Sequence, residues 1–272
     1  MKLSGKYKLL VLTIGVLLMP LYNLSLASSY TNEGFQPLST PYFNDDVKVI
    51  LIDPGHGGKD VGCSGHHLYE KDVALEIALQ FGQLMKERYP KIKVRFTRTT
   101  DVFIPLHERV AMANEGDVDL FISIHCNAIT NPSAHGIESY VMGMETSKEN
   151  MDIAKRENEV ILMEDLTEYD PYSDEGHIMI AMMQQQTLEK SIRLADFTQQ
   201  SISGHTPFRD RGVKQAGFVV LRKVLAPAIL VEAGFISNPE DAKKLKEDEE
   251  KNKIAHSLVS GIGKYVSHYQ NQ

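Results

Sequence analysis

Four residues stand where the chain changes from apolar to polar. His56 follows the apolar run VKVILID and lies among Gly55, Gly57 and Gly58 in the loop LIDPGHGGKDVGCSG; His125 ends DLFISIHCNA. Glu70 opens EKDVALEIALQFGQLMKERY, and Glu232 interrupts the apolar stretch ILVEAGFISN. Two imidazoles and one carboxylate make a three-ligand zinc set that leaves one position open for water. A carboxylate inside an apolar strand is costly to bury, so Glu232 needs a strong partner or a chemical role. Zinc draws the pKa of its water toward neutrality, and a neighbouring carboxylate can take that proton and hand it to a leaving amine. These four residues therefore suffice to hydrolyse an amide.

Spacing alone does not select them. The ligands are spread along the chain, unlike a compact H-E-x-x-H helix. His66, His67, His107, His135, His177 and His205 compete for the metal, and Glu70 also reads as a first-turn acid favoured by the helix dipole. The glycines raise a phosphate-loop alternative, which fails because Lys59 is followed by Asp60 where that motif requires Ser or Thr. The glycines are expected instead to let a metal ion or a substrate approach His56.

Elements that would position these residues follow from periodicity. VKVILID (47–53), KVRFTR (93–98), DLFISIHCNA (119–128), GIESYVMG (136–143), FVVLR (218–222) and PAILVEAGF (227–235) read as strands. Helical patterns cover 70–89, 105–116 and about 249–269, the second with Pro near its start and Gly at its end. Largely apolar strands alternating with helices predict an α/β domain with a parallel or mixed sheet covered on both faces. Ligand sites in such sheets gather beyond the carboxyl ends of the strands, where the four residues can converge. Residues 145–203 are charged early and rich in Met and Gln later, and are expected to form a helical insertion beside the sheet.

Composition narrows the function. The chain has 272 residues, 42% hydrophobic and 24% charged, with a net charge of -7, which disfavours nucleic acid as a partner. Residues 1–27 read as a signal peptide: Lys2, Lys6 and Lys8, an apolar run from 9 to 19, then Ser25 and Ala27 at a small-residue cleavage site. The apolar run falls short of the ~20 residues of a spanning helix, so cleavage, export and no remaining membrane span are expected. Residues 28–46 form a linker and 47–272 the folded domain. Cys63 and Cys126 are expected to be unpaired, half-buried thiols.

IDPGHGGKDVG, EKDVALEIA, TRTTD with PLHERVAMAN, FISIHCNA and ILVEAGFISNPED occur in that order. Together they resemble the zinc-dependent N-acetylmuramoyl-L-alanine amidases of bacterial cell walls, over about Lys48 to the C-terminus. The resemblance implies a single α/β domain with a mainly parallel six-stranded sheet, Zn2+ held by His56, Glu70 and His125, and Glu232 as catalytic acid and base. It implies peptidoglycan as substrate, cut between the lactyl group of muramic acid and the first L-alanine, by an enzyme of the periplasm or cell wall. Asn127 would donate to the substrate or merely turn the strand end; Asp53 would support a ligand histidine or cap the turn. Arg222 would meet a peptide carboxylate or simply face solvent. AKRENEVILMED resembles the start of the helical insertion that covers the zinc in relatives that separate daughter cells. By that likeness Glu157, Glu159 or Glu164 would occupy the open metal position until a protein activator moves the insertion; a solvated charged face is the plainer reading. Metal, water and glutamate would equally serve a cell-wall peptidase or deacetylase. A non-catalytic wall-binding protein is disfavoured because all four positions carry competent side chains.

Overall fold

A computed structural model describes residues 47–143, 147–163 and 174–270; the signal segment 1–27, the linker 28–46 and Glu164 lie outside them. In chain order the elements are β1 (Val49–Pro54), β2 (Ser64–Gly65), β3 (Leu68–Tyr69), α1 (Glu70–Arg88), β4 (Lys93–Phe96), α2 (Leu106–Asn114), β5 (Leu120–Asn127) and β6 (Ile137–Met142). They continue with α3 (Lys148–Asn158), a 3-10 turn (Glu159–Met163), α4 (Asp174–His205), β7 (Asp210–Ala216), α5 (Val219–Arg222), β8 (Ala228–Phe235), α6 (Pro239–Leu245) and α7 (Asp248–Gln270).

Six strands form one sheet in the order β4-β1-β5-β8-β6-β7. β4, β1, β5 and β8 run parallel, β6 is antiparallel to β8, and β7 is parallel to β6. Every residue of β1, β5 and β8 is buried, as central strands covered on both faces must be. Strand alternation divides their side chains between two cores. Ile50, Ile52, Ile122, Ile124, Ile229 and Val231 pack under α1, α4 and α7, whereas Leu51, Phe121, Leu230 and Tyr140 pack under α2, α3 and α5.

Two sequence expectations are corrected. FVVLR is not a strand: its Val219–Arg222 portion is the single turn α5, with Phe218 as N-cap. Phe218 packs edge-on against Tyr140 with centroids 5.0 Å apart, and Asn158 brackets the turn by donating to Gly217 O and accepting from Val219 N–H. An apolar run this short is buried equally well as a helical turn, so tertiary contacts decide. The sixth strand is DRGVKQA, β7, which the sequence hides. It lies at the sheet edge, its residues mostly half-exposed and its composition polar, and its pairing with β6 is interrupted by an irregularity.

The insertion proper is α3 with the 3-10 turn. The later part of 145–203 belongs to the sheet's helical cover, since Leu194, Ala195 and Ile202 of α4 are buried in the core shared with α1 and α7. No helix among the described residues is long and apolar enough to cross a membrane.

Candidate metal centre and active site

His56 leaves β1 in the left-handed region, at φ +57°, a backbone state that non-glycine residues hold only where surroundings enforce it. Arg109 is the enforcing group. Buried on α2, it donates to His56 O at 2.7 Å, to Pro54 O at 2.7 Å and to Asp53 Oδ1 at 2.6 Å. Asp53 also accepts from Thr97 Oγ1 and Ser123 Oγ, both at 2.7 Å. Burial by itself would raise the Asp53 carboxyl pKa, but Arg109 and the two hydroxyls outweigh it and hold it below the usual carboxylate range. Asp53 thus supports the His56 backbone through Arg109 and does not touch the imidazole. The ring is oriented by Asp60, whose Oδ2 lies 2.8 Å from His56 Nδ1.

His125 reaches the same point from the end of β5, with ring centroids 4.8 Å apart. Gly55 makes this possible: a Cβ there would lie 2.4 Å from His125 Cε1 and Nε2. A Cβ on Gly62 would lie 2.6 Å from Glu70 Oε2. At Gly55 and Gly62 the missing side chain makes room for the site's own His125 and Glu70.

Glu70, first residue of α1, is buried and accepts from Cys63 N–H at 2.8 Å and Cys126 N–H at 3.0 Å. Its Oε1 stands 3.1 Å from His56 Nε2 and 3.0 Å from His125 Nδ1. Cys63 and Cys126 are free thiols, half-buried and buried respectively, and Cys63 Sγ donates to Cys126 O.

The fourth member comes from the insertion. Glu157 on α3 is buried, with Oε2 3.0 Å from both His56 Nε2 and His125 Nδ1. Arg156 holds it there by donating to Glu157 Oε1 from Nε at 3.0 Å and from a terminal nitrogen at 2.8 Å. The same guanidinium reaches Ala128 O and Asn127 Oδ1, so the residue beside Glu157 ties α3 to the end of β5. Lys59 adds a second tie, from the His56 loop to Met163 O at 2.8 Å.

His56, Glu70, His125 and Glu157 offer ligand atoms that all lie within 4.8 Å of one another. His56 Nε2 and Glu157 Oε2 are buried without a hydrogen-bond partner, although opposite formal charges face each other at 3.0 Å. Imidazole nitrogens and carboxylate oxygens converging on one point suit a single ion such as Zn2+. Burial opposes charge on both imidazoles, yet Glu70 and Glu157 prevail, holding His56 well above the usual imidazole range and raising His125 to about 9. The cluster thus favours positive charge at its centre.

Glu232 faces His125 across the β5–β8 pairing. It is fully buried and neither carboxylate oxygen has a hydrogen-bond partner. Burial, then the negative charges of Glu157 and Glu70, push its pKa well above the carboxylate range.

The remaining predicted residues separate. Asn127 is buried and donates to Glu138 Oε1 at 2.8 Å, so it is more than a turn residue. Arg222 ends α5, which packs on α2, and does not join the cluster. Glu159 starts the 3-10 turn and is exposed. His66 and His67 stay in the β2–β3 hairpin, and neither they nor His107, His135 or His205 contribute a ligand atom to the cluster. Sequence reasoning missed Asp60, Arg109, Arg156 and Glu138; Arg109 within PLHERVAMAN is signalled only as a cation on an otherwise apolar helix face.

A family model described as N-acetylmuramoyl-L-alanine amidase matches residues 50–264. The amidase AmiC of Escherichia coli O6:H1 is 37% identical over 223 residues, 80% of this chain and 53% of AmiC, so the chain spans about half of that relative. AmiA of Escherichia coli K12 is 32% identical over 83% of this chain and 78% of its own length. Among solved structures, an N-acetylmuramoyl-L-alanine amidase from Clostridium difficile 630 aligns with a TM-score of 0.62 and 28% identity, covering 82% of this chain and 98% of that one. With the blocks that surround His56, Glu70, His125 and Glu232 all inside the matched span, the chain belongs to the N-acetylmuramoyl-L-alanine amidase family.

Proposed function

We propose that this chain hydrolyses the amide between the lactyl group of N-acetylmuramic acid and the L-alanine of the stem peptide in peptidoglycan. The observation that carries this reading is a buried carboxylate without partners, Glu232, facing His125 of a buried two-histidine, two-glutamate cluster. His56, Glu70 and His125 would hold Zn2+, which when bound supplies Lewis acidity toward an amide carbonyl and toward water. Glu232 takes the proton of the attacking water and returns it to the departing alanine nitrogen. Asp60 keeps the Nε2 edge of His56 turned inward, and Glu70 keeps its place through two backbone N–H groups.

On this reading the position of Glu157, 3.0 Å from both imidazoles, corresponds to a closed state. Glu157 fills the space between the imidazoles that a substrate carbonyl or water needs, and its negative charge contributes to raising the pKa of Glu232. Turnover requires α3 to withdraw, and a protein activator bound to the insertion would do this by breaking the Arg156 and Lys59 ties. Cleavage of the signal segment places the enzyme outside the cytoplasm, in the periplasm or cell wall, where peptidoglycan lies.

Mass spectrometry of sacculi digested by the purified zinc-loaded chain tests the reaction. An amidase releases intact stem peptides with a free L-alanine amine, and Glu232→Gln lowers that release by roughly 10²- to 10⁴-fold while zinc content is unchanged. Release of shortened peptides or of acetate instead would overturn the assignment.

A further inference from the structure

A second anchored charge lies on the same face of the sheet. Glu138, the second residue of β6, lies directly across from Glu232 in the β6–β8 pairing and is fully buried. It is heavily supplied with donors: Asn127 Nδ2 at 2.8 Å, Tyr140 OH at 2.8 Å, Lys214 Nζ at 2.6 Å and Arg211 Nε at 2.5 Å. Arg211 spends only one edge of its guanidinium on this permanent partner. Its terminal nitrogen donates to Glu149, and Glu149 is in the first turn of α3, the helix that carries Glu157. Arg211 lies over the Phe235 ring, 4.8 Å from its centroid. That ring sits three residues beyond Glu232 on β8, so the cation is held at the active end of the sheet.

Charge accounting gives the arrangement a meaning. Arg211 and Lys214 together outweigh Glu138 by one positive charge, and Glu149 cancels it. Arg211 keeps a side-chain exposure of 14% against 43% for Glu149, so withdrawing α3 would leave a half-buried guanidinium with a donor edge facing the site. A fork of this kind suits a carboxylate. α3 therefore lays two acids on two electropositive spots, Glu157 on the imidazoles and Glu149 on Arg211.

We infer that Arg211, supported by Lys214, is the seat of a free carboxylate on the substrate's stem peptide, and that Glu149 takes that seat while α3 is closed. This rests on the amidase reading with α3 as a movable cover. Glu149 and Glu157 are eight positions apart on one helix, about 12 Å along its axis. An extended peptide covers about that distance in three to four residues. The carboxylate is thus placed on the third residue counted from the cleaved amide, where a diaminopimelate side chain carries one.

The probes are three muramyl peptides: N-acetylmuramoyl-L-alanyl-γ-D-glutamyl-diaminopimelate with its acids free, the same amidated on the third-residue side chain, and the same amidated on the second residue. For the full zinc-loaded chain, amidating the third residue raises KM about tenfold with kcat unchanged, and amidating the second has little effect. Arg211→Ala abolishes that difference by raising KM for the two peptides with a free third-residue carboxylate and not for the one amidated there, Arg211→Lys restores part of it, and Glu149→Ala lowers KM for those same two peptides. Equal losses on all three peptides in Arg211→Ala, or discrimination at the second residue, would overturn the inference. If neither the full chain nor its Arg156→Ala variant, which loses the clamp on Glu157, releases L-alanyl peptide from any probe, the amidase reading is refuted instead; calorimetric binding of the same three peptides then decides the carboxylate seat, and equal affinities refute it.

Discussion

Gly55 and His125 share one volume. The imidazole lies where the Cβ of any other residue at position 55 would be, 2.4 Å from two of its ring atoms. Because Gly55 N–H also donates to Ile124 O at 2.9 Å, the backbone cannot retreat without breaking the β1–β5 junction. Gly55→Ala is expected to turn His125 away from His56 and Glu70. Zinc per chain, measured after dialysis at micromolar metal, falls to near zero while far-UV circular dichroism stays close to that of the parent. Stoichiometric zinc in the variant would show that the metal does not need His125.

Asp60 is expected to tune His56 without touching the ion. A carboxylate on the far nitrogen fixes the tautomer and ring angle of a ligand histidine, and losing such a partner costs ~10–100-fold in metal affinity. Asp60→Asn should show that loss in a competitive chelator titration, with little change in melting temperature. An unchanged affinity would reduce Asp60 to a loop residue that only caps Gly62 N–H.

Glu157 is expected to restrain the enzyme. Glu157→Gln keeps the size of the side chain but removes the charge that competes for the imidazoles, and Arg156→Ala removes the clamp. Both should raise release of L-alanyl peptides from walls by roughly 5- to 150-fold, the range of an ordinary coupling energy. Glu159→Gln, on the exposed turn, should leave it unchanged. Lower or equal activity in Glu157→Gln, in protein that still folds and binds zinc, would mean that Glu157 is a working ligand.

Asp53 makes stability depend on acid. Its folded-state pKa is depressed, so its contribution is complete above the unfolded carboxylate value near 3.8 and is lost as pH falls through the lower folded value. Asp53→Asn leaves the Arg109 charge buried and unpaired, a loss of about 3–5 kcal/mol at pH 7. In urea melts the gap between parent and variant should stay constant from pH 7 to about 5 and shrink below about 4. A gap that persists at pH 2 would place the stabilisation in packing.

Local pattern was enough for much of this molecule. The apolar runs around β1, β5 and β8 read as buried strands, rich in β-branched residues and alternating with helical segments, and the polar side chains at their ends could then meet beyond the carboxyl edge. His56, Glu70, His125 and Glu232 stood out for that reason, since each opens, interrupts or ends a patterned segment, but pattern alone did not select them over the other histidines and acids. Local pattern could not reveal β7, whose polar residues suit an edge strand as well as a loop, or α5, whose apolar residues suit a turn as well as a strand.

Only tertiary structure decided which acid of the insertion faces the imidazoles, since Glu157 and Glu159 differ by little more than half a helical turn and packing of Ile153 and Ala154 on the sheet sets the rotation of α3. It alone paired Asp53 with Arg109, 56 positions apart, and Glu138 with Arg211, 73 apart. Burial is written into composition residue by residue, whereas the partner that makes a buried charge tolerable is chosen by whichever element the sheet brings alongside.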